Sequence, residues 1–283
     1  MIYVHYIGHS LLPFLLYRNK DKLLLINAHG GDVLPTNLTK KLIQKLVIPI
    51  VNKADYIISP SEYLKNIIVD KYNIKEKNIF ISPSGGINRE LFKPISIQKD
   101  TKLFTLGFVS RIEINKGFDT LLDAFEIIIK KHKNIKLIII GGGSEEDKLK
   151  RRIHSNDKIE YVGAIAHDKL PFYFNKMDLF IFPTKLQESL GLVGLEAMAC
   201  SIPVIGSNIG GLKSYIKNDY NGQLFEMGNY KKLAMKIDFF LNMETNKFNE
   251  YKKNALNTTL IYDSNIVKKK LANKIKSIVR NNI

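Results

Sequence analysis

The chain has 283 residues, 45% of them hydrophobic, with 18 glycines and a single cysteine, Cys200. That suits two modest α/β domains with their own cores and excludes a disordered chain and an internal disulfide, and a buried lone thiol fits a reducing compartment. Forty-three basic against 27 acidic residues leave a formal charge of +16, yet no zinc-ligand spacing, RNP-type aromatic strand or helix-turn-helix accompanies it, so nucleic acid is set aside. No apolar run reaches the roughly 18 residues a membrane span needs. The apolar stretch 1–17 is interrupted by His5, His9 and Pro13 and has no basic segment before it, unlike a signal peptide.

Apolar runs of strand length alternate with helical patterns from end to end, which predicts parallel sheets covered by helices. In the first third, strands are expected at residues 3–6, 23–27, 56–59 and 79–82, and helices near 11–18, 38–52 and 61–72. Ser61 followed by Glu62 reads as an N-cap with a favourable first-turn acid. A connector over residues 85–96 marks a boundary. From Leu103 the alternation restarts, with six strands expected at 104–109, 135–140, 159–162, 179–182, 204–206 and 222–225. Six strands make a complete doubly wound domain, with its ligand crevice at their carboxyl ends. The expected organisation is an incomplete first domain over 1–95, a second over 96–262, and a last helical segment over 263–283.

The segment Glu188-Ser-Leu-Gly-Leu-Val-Gly-Leu-Glu196 follows the apolar run Asp178-Leu-Phe-Ile-Phe-Pro-Thr184 and opens a helix that continues to Cys200. A small-residue loop entering a helix after a buried strand offers backbone N–H groups and a positive dipole end to an anion. Two glutamates, eight apart, flank that anion position and can accept hydroxyls on either side. A nucleotide-sugar has that shape: a diphosphate with a sugar at each end.

The run Glu188-Ser-Leu-Gly-Leu-Val-Gly-Leu-Glu-Ala-Met-Ala-Cys-Ser-Ile-Pro-Val-Ile-Gly206 closely resembles the donor-site signature of family 4 retaining glycosyltransferases, enzymes of the two-domain GT-B fold. Gly107-Phe-Val-Ser-Arg111, Asn115-Lys116-Gly117, Gly210-Gly211 and Asn221-Gly222-Gln-Leu-Phe225 match in the right order, and the resemblance covers nearly the whole chain. It implies transfer of a hexose-type sugar from a UDP- or GDP-linked donor, with retention of configuration and no cofactor, to a surface-glycan acceptor on a lipid carrier. By the same resemblance, Arg111 and Lys116 hold the donor diphosphate and stabilise the charge it develops on leaving. The amides around Ser189, Leu190, Gly191 and Leu192 meet the phosphates or sugar, and Glu196 accepts the ribose hydroxyls. Glu188 contacts the transferred sugar. So does His29, in Asn27-Ala-His-Gly-Gly-Asp32, whose imidazole can donate to or accept from a hydroxyl near neutral pH. The sequence departs from the family at Leu190 (usually Phe), Ser201 (usually Gly) and Ser214 (commonly Glu).

Gly141-Gly-Gly-Ser-Glu-Glu146 is not a dinucleotide fingerprint, because Glu146 stands where a third glycine is needed. There is no Asp-x-Asp motif and no cluster at metal-ligand spacing, so no metal is expected. The lysine-rich end (Lys268, Lys269, Lys270, Lys274, Lys276, Arg280) leaves two readings open: contact with an anionic membrane surface, or solvated charge without a partner. The expected location is cytoplasmic, against the inner face of the membrane. The first domain has about half the strands usual in the family, and the glycine-rich loop after the first family strand is missing. A shortened reading frame, a decayed gene and a second chain that completes the sheet all account for this. The alternative function is therefore a non-catalytic nucleotide-sugar-binding remnant or subunit.

Overall fold

The computed structural model describes residues 1–16, 21–35, 37–100 and 102–281. Its contacts divide the chain into two units. The first joins Met1–Gly86 with Gln187–Leu190 and Ser264–Ile283; the second joins Ile87–Leu186 with Gly191–Asp263.

The first unit is built on a four-stranded parallel sheet in the order β1 (Ile2–His5), β2 (Leu24–Asn27), β3 (Tyr56–Ser59) and β4 (Ile79–Ile81). Register runs Val4 to Ile26, Ile26 to Ile57 and Ile58 to Phe80. The expected strands thus form, with shifts of one residue at their ends. The helix expected near residues 11–18 is a 3-10 turn, His9–Leu11, followed by the single turn α1 (Pro13–Leu16), which proline opens with its ring-fixed φ; positions 17 and 18 lie outside the described residues. Asn37 caps α2 (Leu38–Val51) by accepting from Lys40 N at 2.8 Å. Ser61 caps α3 (Glu62–Tyr72) by accepting from Leu64 N, and the helix stops at Asn73 in a left-handed conformation. Ile26, Val33, Val47, Ile57, Leu64 and Ile68 are fully buried in this unit's core. The last helix, Ser264–Arg280, belongs to this unit.

The second unit contains β5 (Phe104–Val109), α4 (Phe118–Lys131), β6 (Ile135–Ile140), α5 (Glu146–Ile153), β7 (Ile159–Gly163), α6 (Leu170–Lys176), β8 (Leu179–Phe182), α7 (Leu192–Ala199), β9 (Val204–Ser207), β10 (Gly222–Phe225), α8 (Tyr230–Leu241) and α9 (Thr245–Thr258). All six strands are parallel, in the order β10-β9-β8-β5-β6-β7. They coincide with the expected strands, β7 and β9 each running one residue further. The chain winds outward from β5 to β7, then returns to β8 on the other side of β5. The switch point of the sheet therefore lies between β5 and β8, and the loops leaving those strands diverge to opposite faces there. Every residue of β8 and β9 is buried, as expected for central strands covered on both faces. Among the described residues, no helix is long and apolar enough to cross a membrane.

Candidate functional site

In the second unit, three loops meet at the carboxyl ends of β5, β6 and β8, and glycines let their backbones touch. Gly117 has φ +78°, and a Cβ there would lie 1.9 Å from the Pro183 carbonyl oxygen. Lys185 N donates to Asn115 O at 2.8 Å, tying the loop after β8 to the loop after β5. A Cβ on Gly141 would lie 1.8 Å from Ser110 O, and one on Gly143 2.5 Å from Ile112 O. The glycine run 141–143 is thus a close backbone seam between neighbouring loops. Glu146 and Asp147 occupy the first turn of α5, where pairing with Lys150 at 2.8 Å holds the Glu146 carboxyl below the usual carboxylate range. The dipole of α5 is answered from within its own helix.

The start of α7 differs. It carries no acid in its first turn. Gly191 precedes it at φ +80°, its carbonyl accepting from the Tyr215 hydroxyl at 2.9 Å. Leu192 is its first residue. About one turn in, Glu196 is 8% exposed, and His167 Nε2 lies within hydrogen-bond distance of its Oε1, at 2.9 Å. Burial raises the Glu196 pKa, and the His167 hydrogen bond opposes that rise. Phe92 meets the His167 ring edge-on at 5.1 Å between centroids. On the other side of the switch point, Arg111 and Lys116 both lie on the loop after β5. Arg111 is mostly exposed and pairs with Glu113 at 2.7 Å; Lys116 ends a 3-10 turn, Ile114–Lys116. A cavity of about 320 Å³ opens at the ends of β5, β6 and β7, lined among others by Arg111, Gly141, Gly142 and Ala164.

In the first unit the Asp32 carboxylate organises the loops after β1 and β2. Its Oδ1 accepts from His29 N at 2.9 Å and Gly30 N at 2.7 Å, and its Oδ2 from Ile7 N at 2.8 Å. His29 Nε2 lies 3.0 Å from His5 Nδ1, and the Tyr6 ring lies 4.2 Å from that of His29. Burial lowers the His29 pKa; Asp32 opposes this and His5 adds to it, so the neutral imidazole is favoured. Gly30, at φ +111°, lies so close to Ser189 that a Cβ would fall 2.5 Å from the serine Cβ. The Ser61 hydroxyl donates to Ser189 O, and Tyr63 donates to Gln187 Oε1 at 2.8 Å. Half-buried Glu188 and buried Leu190 belong to this same segment. A cavity of about 440 Å³ opens at the loops after β1 and β2, lined by Tyr6, His9, Ser10, Asp32, Lys40 and Ile43 among others.

The structure therefore gathers the residues singled out in the sequence into two groups. His29, Glu188, Ser189 and Leu190 lie in the first unit; Arg111, Lys116, Gly191, Leu192 and Glu196 lie in the second. Sequence reasoning missed His167, His5 and Tyr6. His167 sits in a turn whose local sequence has no pattern, and only the third dimension brings it to Glu196. A histidine at the end of a first-domain strand was the available signal for His5, and it was read only as an interruption of an apolar run. Among the described residues, no group of three or more His, Cys, Asp or Glu side chains could hold a metal ion.

Two parallel α/β sheets of four and six strands, the larger with its switch point between β5 and β8, define a protein of the GT-B class. The chain belongs to the glycosyl transferases group 1 family, whose model matches residues 89–258, more than half of its length. It is similar to the capsular polysaccharide biosynthesis glycosyltransferase CapM of Staphylococcus aureus, at 32% identity over 203 residues, 67% of this chain and 53% of CapM. Among solved structures it resembles sucrose-phosphate synthase from Thermosynechococcus elongatus, with a TM-score of 0.83 at 21% identity over 99% of this chain and 74% of the other. It also resembles Anabaena HepE in complex with UDP, with a TM-score of 0.77 at 20% identity over 90% and 72% of the two chains. The chain spans about half the length of the curated relatives it matches.

Proposed function

We propose that this chain transfers a hexose-type sugar from a nucleotide-sugar donor to a surface-glycan acceptor on a lipid carrier, with retention of configuration. The observation that carries the donor assignment is the switch point of the second unit. There an acid-free helix start and the buried Glu196 stand on one side, with the two cations Arg111 and Lys116 on the other. Glu196 accepts the ribose hydroxyls, while Arg111, Lys116 and the amides around Ser189, Leu190, Gly191 and Leu192 hold the diphosphate. Fixed cations and helix N–H groups stabilise the charge that grows on the leaving diphosphate as the glycosidic bond breaks. That set of donors needs no metal. In the proposed arrangement the first unit, with His29 and Glu188, takes the transferred sugar and the acceptor. The relatives support this reading: one is named for capsular polysaccharide biosynthesis, and a structural neighbour was solved with UDP. The same assignment makes the protein peripheral to a cytoplasmic membrane face, where lipid-linked acceptors are met.

Calorimetric titration of UDP, GDP and their common sugars tests the assignment. Saturable binding is expected, weakened at least tenfold in Glu196→Gln and in Arg111→Ala. Undiminished binding in both variants sinks it.

A second reading has its own observation: among the described residues, β1 stands at the edge of the four-stranded sheet, paired on one side only, by β2. Unpaired edges are managed by covering them. On this reading the chain is a nucleotide-sugar-binding subunit that becomes competent when another polypeptide pairs with β1. Donor binding without transfer or hydrolysis by the isolated chain separates the two.

A further inference from the structure

Helix α2 is apolar on two faces and packed on one. Its inner face buries Val47, Ile50 and Val51, with Gln44 donating to the carbonyls of Asp32 and Val33 at 2.6 and 3.0 Å. Its outer face carries Leu38, Leu42 and Leu46 at a spacing of four, which aligns them in one ridge along the helix. They are 73%, 54% and 57% exposed. The neighbouring turn α1, which touches α2, leaves Leu16 almost fully exposed. An apolar ridge of this kind has no reason to persist in water alone.

The charge beside the ridge identifies its occupant. Lys41 and Lys45 are exposed along its flank, and α2 contains no Asp or Glu at all. Lys71, which donates to Val33 O and Gln44 Oε1 from the adjacent α3, has its pKa lowered by burial and by the charge of Lys41. Lys41 and Lys71 thus lie close enough to repel one another. A second copy meeting this face across a two-fold axis would bring those lysines opposite one another. An anionic bilayer answers both features: the leucines enter the acyl boundary while lysine stems lie along it with their ammonium groups among the headgroups.

We propose that the first unit docks on an anionic lipid surface through the Leu38–Leu42–Leu46 ridge, with Lys41 and Lys45 as its electrostatic flank. This deepens, and in part rests on, the lipid-linked acceptor of the proposed function. The helix that bears the ridge also lends Lys40 and Ile43 to the wall of the 440 Å³ cavity beside the His29 loop. Docking by this face holds that cavity next to the surface that carries the acceptor.

Flotation of the full chain with vesicles of phosphatidylcholine, alone or mixed with phosphatidylglycerol, tests the docking. At least tenfold more protein is expected on the anionic vesicles, falling toward the phosphatidylcholine level in the Leu38→Ser, Leu42→Ser, Leu46→Ser triple variant. Lys41→Glu with Lys45→Glu is expected to abolish the anionic preference and its salt dependence, and it decides the matter if the triple variant does not fold. Equal flotation on both vesicle types, or flotation unchanged by either variant, overturns the proposal. So does a chain that never floats but self-associates in gel filtration until the leucines are replaced. Nucleotide binding measured in parallel keeps the two ideas apart. Flotation without nucleotide binding sinks the donor reading alone, and nucleotide binding without flotation sinks the docking alone.

Discussion

The two units close the loops at their strand ends by different means. In the second, backbone lies directly on backbone at Gly117, Gly141 and Gly143, and the Tyr161 hydroxyl adds one tie, to Gly141 O at 2.8 Å. In the first, polar side chains staple the loops: Asp32 to three N–H groups, Gln44 to two carbonyls, and Ser61 to both Leu64 N and Ser189 O. The second unit should therefore be sensitive to added volume, and the first to the loss of a single polar atom.

The largest effect is expected from Gly117→Val. It puts a branched Cβ at φ +78°, only 1.9 Å from a main-chain oxygen, and should cost the second unit on the order of 4 kcal/mol or more. Urea unfolding checks this, and a variant as stable as the parent would break the comparison. Asp32→Ala comes next: three N–H groups lose a charged acceptor, for a loss of about 3 kcal/mol, with Asp32→Asn recovering part of it. Ser61→Ala removes one cap and the tie to Ser189, and a loss of about 1 kcal/mol is expected by the same measurement.

The smallest effect is also the sharpest contrast, because pH should act on the two units with opposite sign. Burial holds the His29 pKa below its ordinary 6.5, so the unfolded chain takes the proton first and the first unit loses stability as pH falls from 6.5 through the folded value. Burial lifts Glu196 above its ordinary 4.5, so the folded state keeps the proton longer. Its stabilising share is complete below 4.5 and is lost as pH rises through the folded value. His29→Gln should flatten the acid side of the stability profile, and Glu196→Gln should remove the loss on the neutral side. Urea midpoints taken between about pH 5 and pH 8 read both. Matching slopes in the two variants would show that neither burial matters.

Much of this molecule can be read from local pattern. The strands of the second unit were legible because each is a short, continuous apolar run bounded by turn residues, and central parallel strands need little else. Ser61 was legible as a cap because a hydroxyl before a first-turn glutamate has few other uses. The start of the first unit was less so: near residues 11–18, proline and the preceding turn divide what composition suggests is one helix. The two apolar faces of α2 give one continuous hydrophobic pattern, so nothing in their periodicity says which face is packed.

The sequence by itself determined that this is a two-sheet parallel α/β protein of the group 1 glycosyl transferases, with an acid-free helix start shortly before a glutamate. Those properties live in runs and spacings of a few residues, where backbone period and side-chain type suffice. Tertiary structure alone decided that His167 hydrogen-bonds Glu196, that Asp32 staples the His29 loop, and that the leucines of α2 face outward. Each of these joins residues, or separates faces, across strands and loops. Such pairings depend on where distant segments pack, and no local pattern carries that information.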